Sequence, residues 1–327
     1  MKIKEFLLSD QNIERDSYIW NMAGSMLMAF QSVIMLMILT RTLGLKDAGI
    51  FTIAYANANL FLTVGKYGMR YFQISDMREQ FSFADYRISR VITSLAMIIT
   101  AVVYTLHAAA SNGYSSEKVQ VIIWMCLFKV VDSVEDVYQG YYQYKNRLDV
   151  GSKGMTLRMI ITIVVYALGL IVLRNQLVSL IVATILTTVL FIVFTKWTIG
   201  SFWITREKAE TKKVIELLKI CFPLFAGAFL SFYIGNAPKY AIDATLTDEL
   251  QACYGFIAMP VFVIGLLNNF IFNPMLYHLS MMWSKGEVKK FVKKILLQSV
   301  IVAGITLVCI IGAFLLGVPV LSWLYNT

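Results

Sequence analysis

Apolar stretches of about twenty residues recur along this chain, and they limit its fold more than any other feature. A helix of that length spans the roughly 30 Å hydrocarbon core of a bilayer. Because backbone N–H and C=O groups cannot stay unpaired in hydrocarbon, each stretch is predicted to be a helix rather than an open strand. The chain is 58% hydrophobic and 15% charged, whereas soluble domains have about 45–50% and about 25%. The sequence therefore predicts an all-α integral membrane protein and excludes a soluble enzyme.

Nine of these stretches qualify as transmembrane helices by length and apolar content. In chain order they lie near Tyr18–Thr40, Ala48–Tyr67, Ile88–Ala108, Val119–Tyr142, Met155–Leu173, Gln176–Lys196, Val214–Gly235, Leu250–Phe272 and Val292–Leu316.

The basic residues fall almost entirely on one side of these predicted spans. Of the 29 lysines and arginines, 23 lie in the N-terminal tail and in the connections after even-numbered spans. Short loops rich in lysine and arginine stay in the cytoplasm, so we expect a multi-pass protein of the cell membrane with a cytoplasmic N-terminus. The net charge of +9 then reflects topology and contact with anionic membrane lipids. Nucleic acid is not an expected partner.

The fourth predicted span carries ionisable side chains at a depth where lipid should surround the helix. At about 100° per residue, Lys129, Asp132, Asp136 and Gln143 fall on one face, and Gln139 lies nearby. Charged groups within a membrane are costly and usually mark a functional site, so we expect these five side chains to line a wet cavity. The alternative is that Lys129 and Asp132 only form a pair within the helix, which lowers the cost of burying each.

Asparagines in other spans are further candidates for the cavity wall. They are Asn21, Asn57, Asn236 and Asn269, in the first, second, seventh and eighth spans. For the face of the first span that carries Asn21, close helix packing through small residues is an equal alternative. The four cysteines and two histidines show no ligand spacing or nucleophile motif. We therefore expect no metal, no cofactor and no catalytic residues.

Two short segments suggest an internal repeat. Asp47–Ala54 and Gln251–Ala258 agree at three of eight positions, and each opens an even-numbered span. A shift of six spans preserves orientation in the membrane, so the implied relation is a parallel repeat of six plus six helices. We accordingly predict a six-helix N-lobe at residues 1–205, followed at 206–327 by the first three helices of a second, pseudo-repeated lobe.

The connections around the second span resemble those of a known family. The residues that carry the resemblance are Arg41–Gly44 leading into Asp47–Phe51, then Gly68–Asp76 and Phe81–Ser82. They are similar to the polysaccharide-biosynthesis flippases of the multidrug/oligosaccharidyl-lipid/polysaccharide exporter (MOP) superfamily. The resemblance implies two lobes of twelve or more helices in total around a central cavity. Because the family pattern would continue for at least three more spans, we expect the second lobe to be incomplete.

The resemblance also implies a function, which is to move undecaprenyl-diphosphate-linked oligosaccharide from the inner to the outer leaflet by alternating access. Our candidates for binding the diphosphate are Lys129 in the cavity, Arg41 and Lys239 at the outer mouth and Arg70 at the inner mouth. The alternative for the three mouth residues is ordinary anchoring at the membrane interface. Asp132 and Asp136 could instead bind a coupling proton or sodium ion.

Three alternative functions remain open from the sequence alone. One is an ion-coupled multidrug antiporter of the same superfamily, which would use the carboxylates of the fourth span. Another is a membrane-embedded glycosyltransferase or acyltransferase, although the outer loops offer few candidate bases. The last is a fragment that does not transport.

Overall fold

The computed structural model describes residues 2–76, 79–202, 208–258, 282 and 286–325. Within these ranges every regular element is a helix. In chain order the helices are α1 (Lys2–Leu8), α2 (Ile13–Leu43), α3 (Leu45–Lys66), α4 (Met69–Ser75), α5 (Phe83–Asn112), α6 (Ser116–Tyr144), α7 (Leu148–Leu173), α8 (Gln176–Ile199), α9 (Thr211–Thr245), α10 (Asp248–Ile257) and α11 (Val288–Tyr325).

Seven of the described helices are long and apolar enough to cross a membrane, namely α2, α3, α5, α7, α8, α9 and α11. The predicted all-α membrane fold is confirmed. The fourth predicted span forms α6, whose 29 residues are long enough, but its buried charges keep it out of this apolar set. The eighth predicted span begins in α10 and from residue 259 lies outside the described residues. The total of nine spans therefore stays a prediction.

The polar helix α6 lies in the middle of its neighbours, packed against α3, α5, α7 and α8. Its charged side chains are buried, whereas apolar side chains cover the outer faces of the surrounding helices. On α5, Ile99 and Val103 are each 62% exposed, and Val172 on α7 is 74% exposed. A polar centre with an apolar exterior is the arrangement expected when the surrounding solvent is lipid.

The chain divides into two compact units, Met1–Ala252 and Cys253–Thr327. The first contains α1 to α9 and the start of α10, and the second contains α11. Compactness does not test an internal repeat. The predicted lobes at 1–205 and 206–327 therefore stay a prediction.

The start of α5 is fixed by a capping box. The Ser82 hydroxyl accepts a hydrogen bond from the Asp85 backbone N–H, and the Asp85 carboxylate accepts one from the Ser82 backbone N–H. The other Asp85 oxygen accepts the backbone N–H of Glu210 at 2.9 Å. The beginning of α5 is thereby joined to the segment that enters α9.

At the opposite end of the bundle, α3 and α10 approach closely at Gly49. A Cβ at this position would overlap the backbone carbonyl of Asp248. Beside this contact, the Lys118 amine at the start of α6 binds Asp248 at 2.6 Å and Asp243, in α9, at 2.8 Å. Tyr114, in the loop before α6, also donates to Asp243. Burial, together with this bond, raises the pKa of Tyr114.

We predict that Gly49→Ala destabilises the protein by about 1–3 kcal/mol, because the methyl group meets backbone that cannot move aside as a side chain can. Gly227→Ala in α9 is the matched control, since a Cβ there meets no atom within 4 Å and alanine favours a helix over glycine. Thermal unfolding of the purified chain in detergent should show a lower midpoint for Gly49→Ala only. Equal midpoints for the two variants would contradict the close approach.

Candidate functional site

Lys129 of α6 lies at the centre of the bundle and is only 1% exposed. Its amine is 3.0 Å from the Asp132 carboxylate and donates to the side-chain oxygen of Gln31, in α2, at 2.6 Å. It also lies 4.9 Å from the centre of the Tyr55 ring, and the Tyr55 hydroxyl donates to the same Gln31 oxygen at 3.3 Å. The charge of Lys129 is therefore compensated inside the protein.

Arg158 of α7 bridges two carboxylates of α6. One guanidinium nitrogen lies 2.7 Å from both Asp132 and Glu135, and another donates to the Thr187 hydroxyl of α8 at 2.5 Å. Arginine suits such a site because its planar fork can satisfy several acceptors at once. Lys129, Asp132, Glu135 and Arg158 together form a neutral group of four, which we call the α6 cluster.

A second group of charges surrounds Asp136, one helical turn further along α6. Arg90 of α5 lies 2.8 Å from this carboxylate and donates to the Gly65 carbonyl at 2.5 Å. Lys66 and Arg70 lie further away, each with its nearest side-chain nitrogen 3.9 Å from Asp136. Arg90 is thus the close partner of Asp136, and the other two cations stand beside an already paired carboxylate.

A cavity of about 240 Å³ opens between these charges and helix α2. It could hold several water molecules, at about 30 Å³ each, or a small polar group. Its walls come from α2, α4, α6, α7 and the end of α3, through Asn21, Ser25, Met28, Ala29, Lys66, Arg70, Asp132, Glu135, Asp136, Gln139 and Met155.

The balance of charge around this cavity is positive. The described residues that line it, together with the cations bound to its carboxylates, include five cations and three carboxylates. The α6 cluster is neutral and Arg90 compensates Asp136, which leaves Lys66 and Arg70 as the excess. Their side chains are 31% and 29% exposed. The cavity therefore favours a polar, negatively charged group.

Half of the twelve candidates named from the sequence meet at this cavity. Gln143 lies just beyond the lining and accepts a hydrogen bond from Arg70 at 2.9 Å. The other five line the cavity directly; they are Asn21, Arg70, Asp132, Asp136 and Gln139.

The remaining candidates that the structure describes lie elsewhere. Lys129 does not line the cavity, but its amine lies 3.0 Å from Asp132, which does. The two residues therefore form a pair within the helix, and one member of that pair also faces the cavity. Asn57 is buried, and its side-chain oxygen has no hydrogen-bond partner among the described residues. Three more are outside the lining: Arg41 in the last turn of α2, and Asn236 and Lys239 in α9. The candidate Asn269 is not among the described residues.

Lys66, Arg90 and Arg158 are the cations of the site that the sequence did not single out. All three are among the 23 basic residues of the N-terminal tail and of the connections after even-numbered spans. Counting the charges of α6 could have indicated the two arginines. The helix carries three carboxylates near Lys129, which can neutralise only one of them, and unpaired carboxylates are costly inside a bilayer, so two further cations were to be expected from neighbouring helices. Arg90 and Arg158 lie near the ends of neighbouring spans, within reach of those carboxylates.

Comparison with known proteins places the chain in a family context. A family model described as polysaccharide biosynthesis protein matches residues 15–283. None of the curated proteins matches the chain.

Two solved structures share the fold. The first, a MOP superfamily transporter from Pyrococcus furiosus, is 16% identical, with a TM-score of 0.56, and the match covers 99% of this chain and 76% of that one. The second, a MATE protein in a bent conformation, is 17% identical, with a TM-score of 0.51, and the match covers 100% of this chain and 77% of that one. At such identity the likeness concerns the fold alone.

Proposed function

Since the chain belongs to the polysaccharide biosynthesis protein family, we propose that it is a membrane transporter that flips a diphosphate-linked oligosaccharide lipid between leaflets. The observation that carries the proposal is the excess positive charge of Lys66 and Arg70 at a polar cavity within the bundle. Its natural cargo is the undecaprenyl-diphosphate-linked oligosaccharide that the family resemblance implies.

The diphosphate is the part of such a cargo that most needs protein partners. An unpaired anion in hydrocarbon is far more costly than a neutral sugar. Charge-assisted hydrogen bonds from lysine and arginine to phosphate oxygens offset that cost. Arg70 is already oriented by its bond to Gln143, so it presents its guanidinium with little further ordering. In this proposal Lys66 and Arg70 bind the diphosphate.

Neutral polar groups beside the cations suit the first sugar. Asn21, Ser25 and Gln139 line the same cavity, and amides and hydroxyls can both donate to and accept from sugar hydroxyls. At about 240 Å³ the cavity is smaller than typical ligand pockets of about 300–1,000 Å³. We therefore assign it the diphosphate and its immediate neighbours, and transport by alternating access requires it to widen.

Ion-coupled antiport is less well supported by the geometry. A coupling proton or sodium ion needs a carboxylate that is free to bind it, whereas Asp132, Glu135 and Asp136 each have a cation within 3.0 Å. We infer instead that these carboxylates position the cations of the site. Coupling to a proton or sodium ion stays a prediction.

A cargo comparison tests the proposal. The full chain is reconstituted in phosphatidylcholine vesicles with one of two fluorescent lipids, undecaprenyl-diphosphate N-acetylglucosamine or a neutral prenyl glucoside. Quenching of the outer-leaflet label by dithionite then reports flipping. We expect faster flipping of the diphosphate lipid only, and a rate about tenfold lower for Arg70→Gln, because one charge-assisted bond is lost.

The control variant is Arg15→Gln, whose side chain is 67% exposed and does not line the cavity. It should flip the diphosphate lipid at the unmodified rate. Equal rates for the two lipids, or equal losses for the two variants, would overturn the assignment of the cavity to a diphosphate.

A further inference from the structure

A second, larger cavity of about 620 Å³ lies on the side of the bundle where α5 begins. It is walled by α5, α6, the residues Lys208 and Ala209 just before α9, and the first turn of α9. Its volume falls within the range of sites that bind small organic molecules. Nothing in the proposed transport mechanism uses it.

The wall of this cavity is mostly apolar and includes exposed basic side chains. Ile88, Val91 and Ile92 of α5 form part of the apolar wall and are 44–50% exposed on the outer face of the helix. Arg87 and Lys208 also line the cavity, and both are exposed. Neither forms an ion pair with a carboxylate among the described residues. Arg87 also lies over the Phe83 ring, 5.9 Å from its centre, and within the described part of the chain no carboxylate neutralises either charge.

Arg90 adds a polar contact deeper in the same cavity. It is among the lining residues and is 1% exposed. Two of its guanidinium nitrogens bind Asp136 and the Gly65 carbonyl, but its Nε–H has no hydrogen-bond partner within the described part of the chain. A buried donor left unpaired costs about 1–3 kcal/mol, so an acceptor supplied by a ligand would stabilise this side chain.

We propose that this cavity binds one anionic phospholipid of the surrounding bilayer. Its phosphodiester pairs with Arg87 and Lys208, one acyl chain lies against the apolar wall, and an ester oxygen can accept the Nε–H of Arg90. Charge complementarity selects an anionic headgroup over a zwitterionic one. The site is independent of what the protein transports.

Such a lipid would add contacts between elements that already pack against one another around this cavity. It touches α5 and α6 on one side and Lys208 on the other, close to where Glu210 bonds Asp85. Binding to the folded arrangement alone raises its stability by mass action. Anionic lipid is therefore expected to raise the thermal midpoint of the protein as well as to bind it.

Native mass spectrometry of the purified full chain tests this site. The detergent contains either dioleoylphosphatidylglycerol or dioleoylphosphatidylcholine, which have the same acyl chains. We expect one phosphatidylglycerol to remain bound in preference to phosphatidylcholine. Arg87→Gln/Lys208→Gln should weaken phosphatidylglycerol binding about 25-fold, since each basic residue near anionic lipid contributes about fivefold.

Two further variants separate the headgroup from the acyl chain and from overall charge. Ile92→Trp fills the apolar part and should weaken binding without removing charge. Lys289→Gln/Lys293→Gln removes two exposed charges of α11 and should bind lipid normally. Equal binding of the two lipids would overturn the proposal, as would an equal loss of phosphatidylglycerol affinity in the α11 variant and the Arg87/Lys208 variant. It would also be overturned if neither cavity variant weakened lipid binding or removed the thermal stabilisation by phosphatidylglycerol.

Discussion

Arg158→Met is expected to destabilise the protein by about 3–5 kcal/mol, the cost of leaving a buried charge without its partner. Arg158 is the cation that binds Glu135, whereas Asp132 keeps Lys129 at 3.0 Å. Methionine preserves much of the side-chain volume, so the loss reports charge rather than a cavity. Thermal unfolding in detergent should show a large fall in midpoint, together with a reduced yield of folded protein.

Removing both charges gives a sharper test than removing one. Glu135→Met/Arg158→Met leaves no unpaired charge at Glu135, so it should be more stable than Arg158→Met alone. Arg15→Met, at a 67% exposed arginine, should change stability by less than about 1 kcal/mol. If Arg158→Met behaves like Arg15→Met, or if the double variant is the less stable, the α6 cluster is not held together by these charges.

The spans and the polar face of α6 could be predicted because each depends on local pattern. Apolar length predicts a span whatever surrounds it, and a period of 100° per residue predicts which side chains share a face. Helix ends are less well defined. The helix at the seventh predicted span continues to Thr245, ten residues beyond the predicted end at Gly235, because a helix can continue into the interface once its apolar stretch has ended.

The partners of the α6 charges could not be predicted, because they depend on how separate helices are rotated against one another. Lys129 was expected to face the cavity, yet its amine is turned toward Gln31 of α2, 98 residues away in the chain. Arg70 was expected at the inner mouth and Lys66 was not singled out, and the packing of α3 and α4 against α6 brings both to the cavity. Periodicity describes one helix at a time, whereas a charge network is a property of several.

Lys66→Gln/Arg70→Gln is expected to slow flipping of the diphosphate lipid by at least about 100-fold. Each lost bond between a cation and a phosphate is worth about 1.5–3 kcal/mol. If the bond is fully formed in the transition state of flipping, its loss slows flipping by about 10–100-fold. Folding should be little affected, because Asp136 keeps Arg90 at 2.8 Å. The same vesicle assay measures the rate, and Lys212→Gln/Lys219→Gln, at two exposed lysines of α9, is the control of equal charge.

Lys129→Gln then decides which cations bind the cargo. If Lys129 were the diphosphate ligand, this variant would slow flipping as much as the double variant and leave stability unchanged. The observed contacts predict the opposite, since Lys129 compensates Asp132 and does not line the cavity. We expect Lys129→Gln to lower the thermal midpoint while each folded molecule keeps most of its flipping rate. A Lys129→Gln variant that is stable but does not flip the lipid would show that Lys129, rather than Lys66 and Arg70, binds the diphosphate.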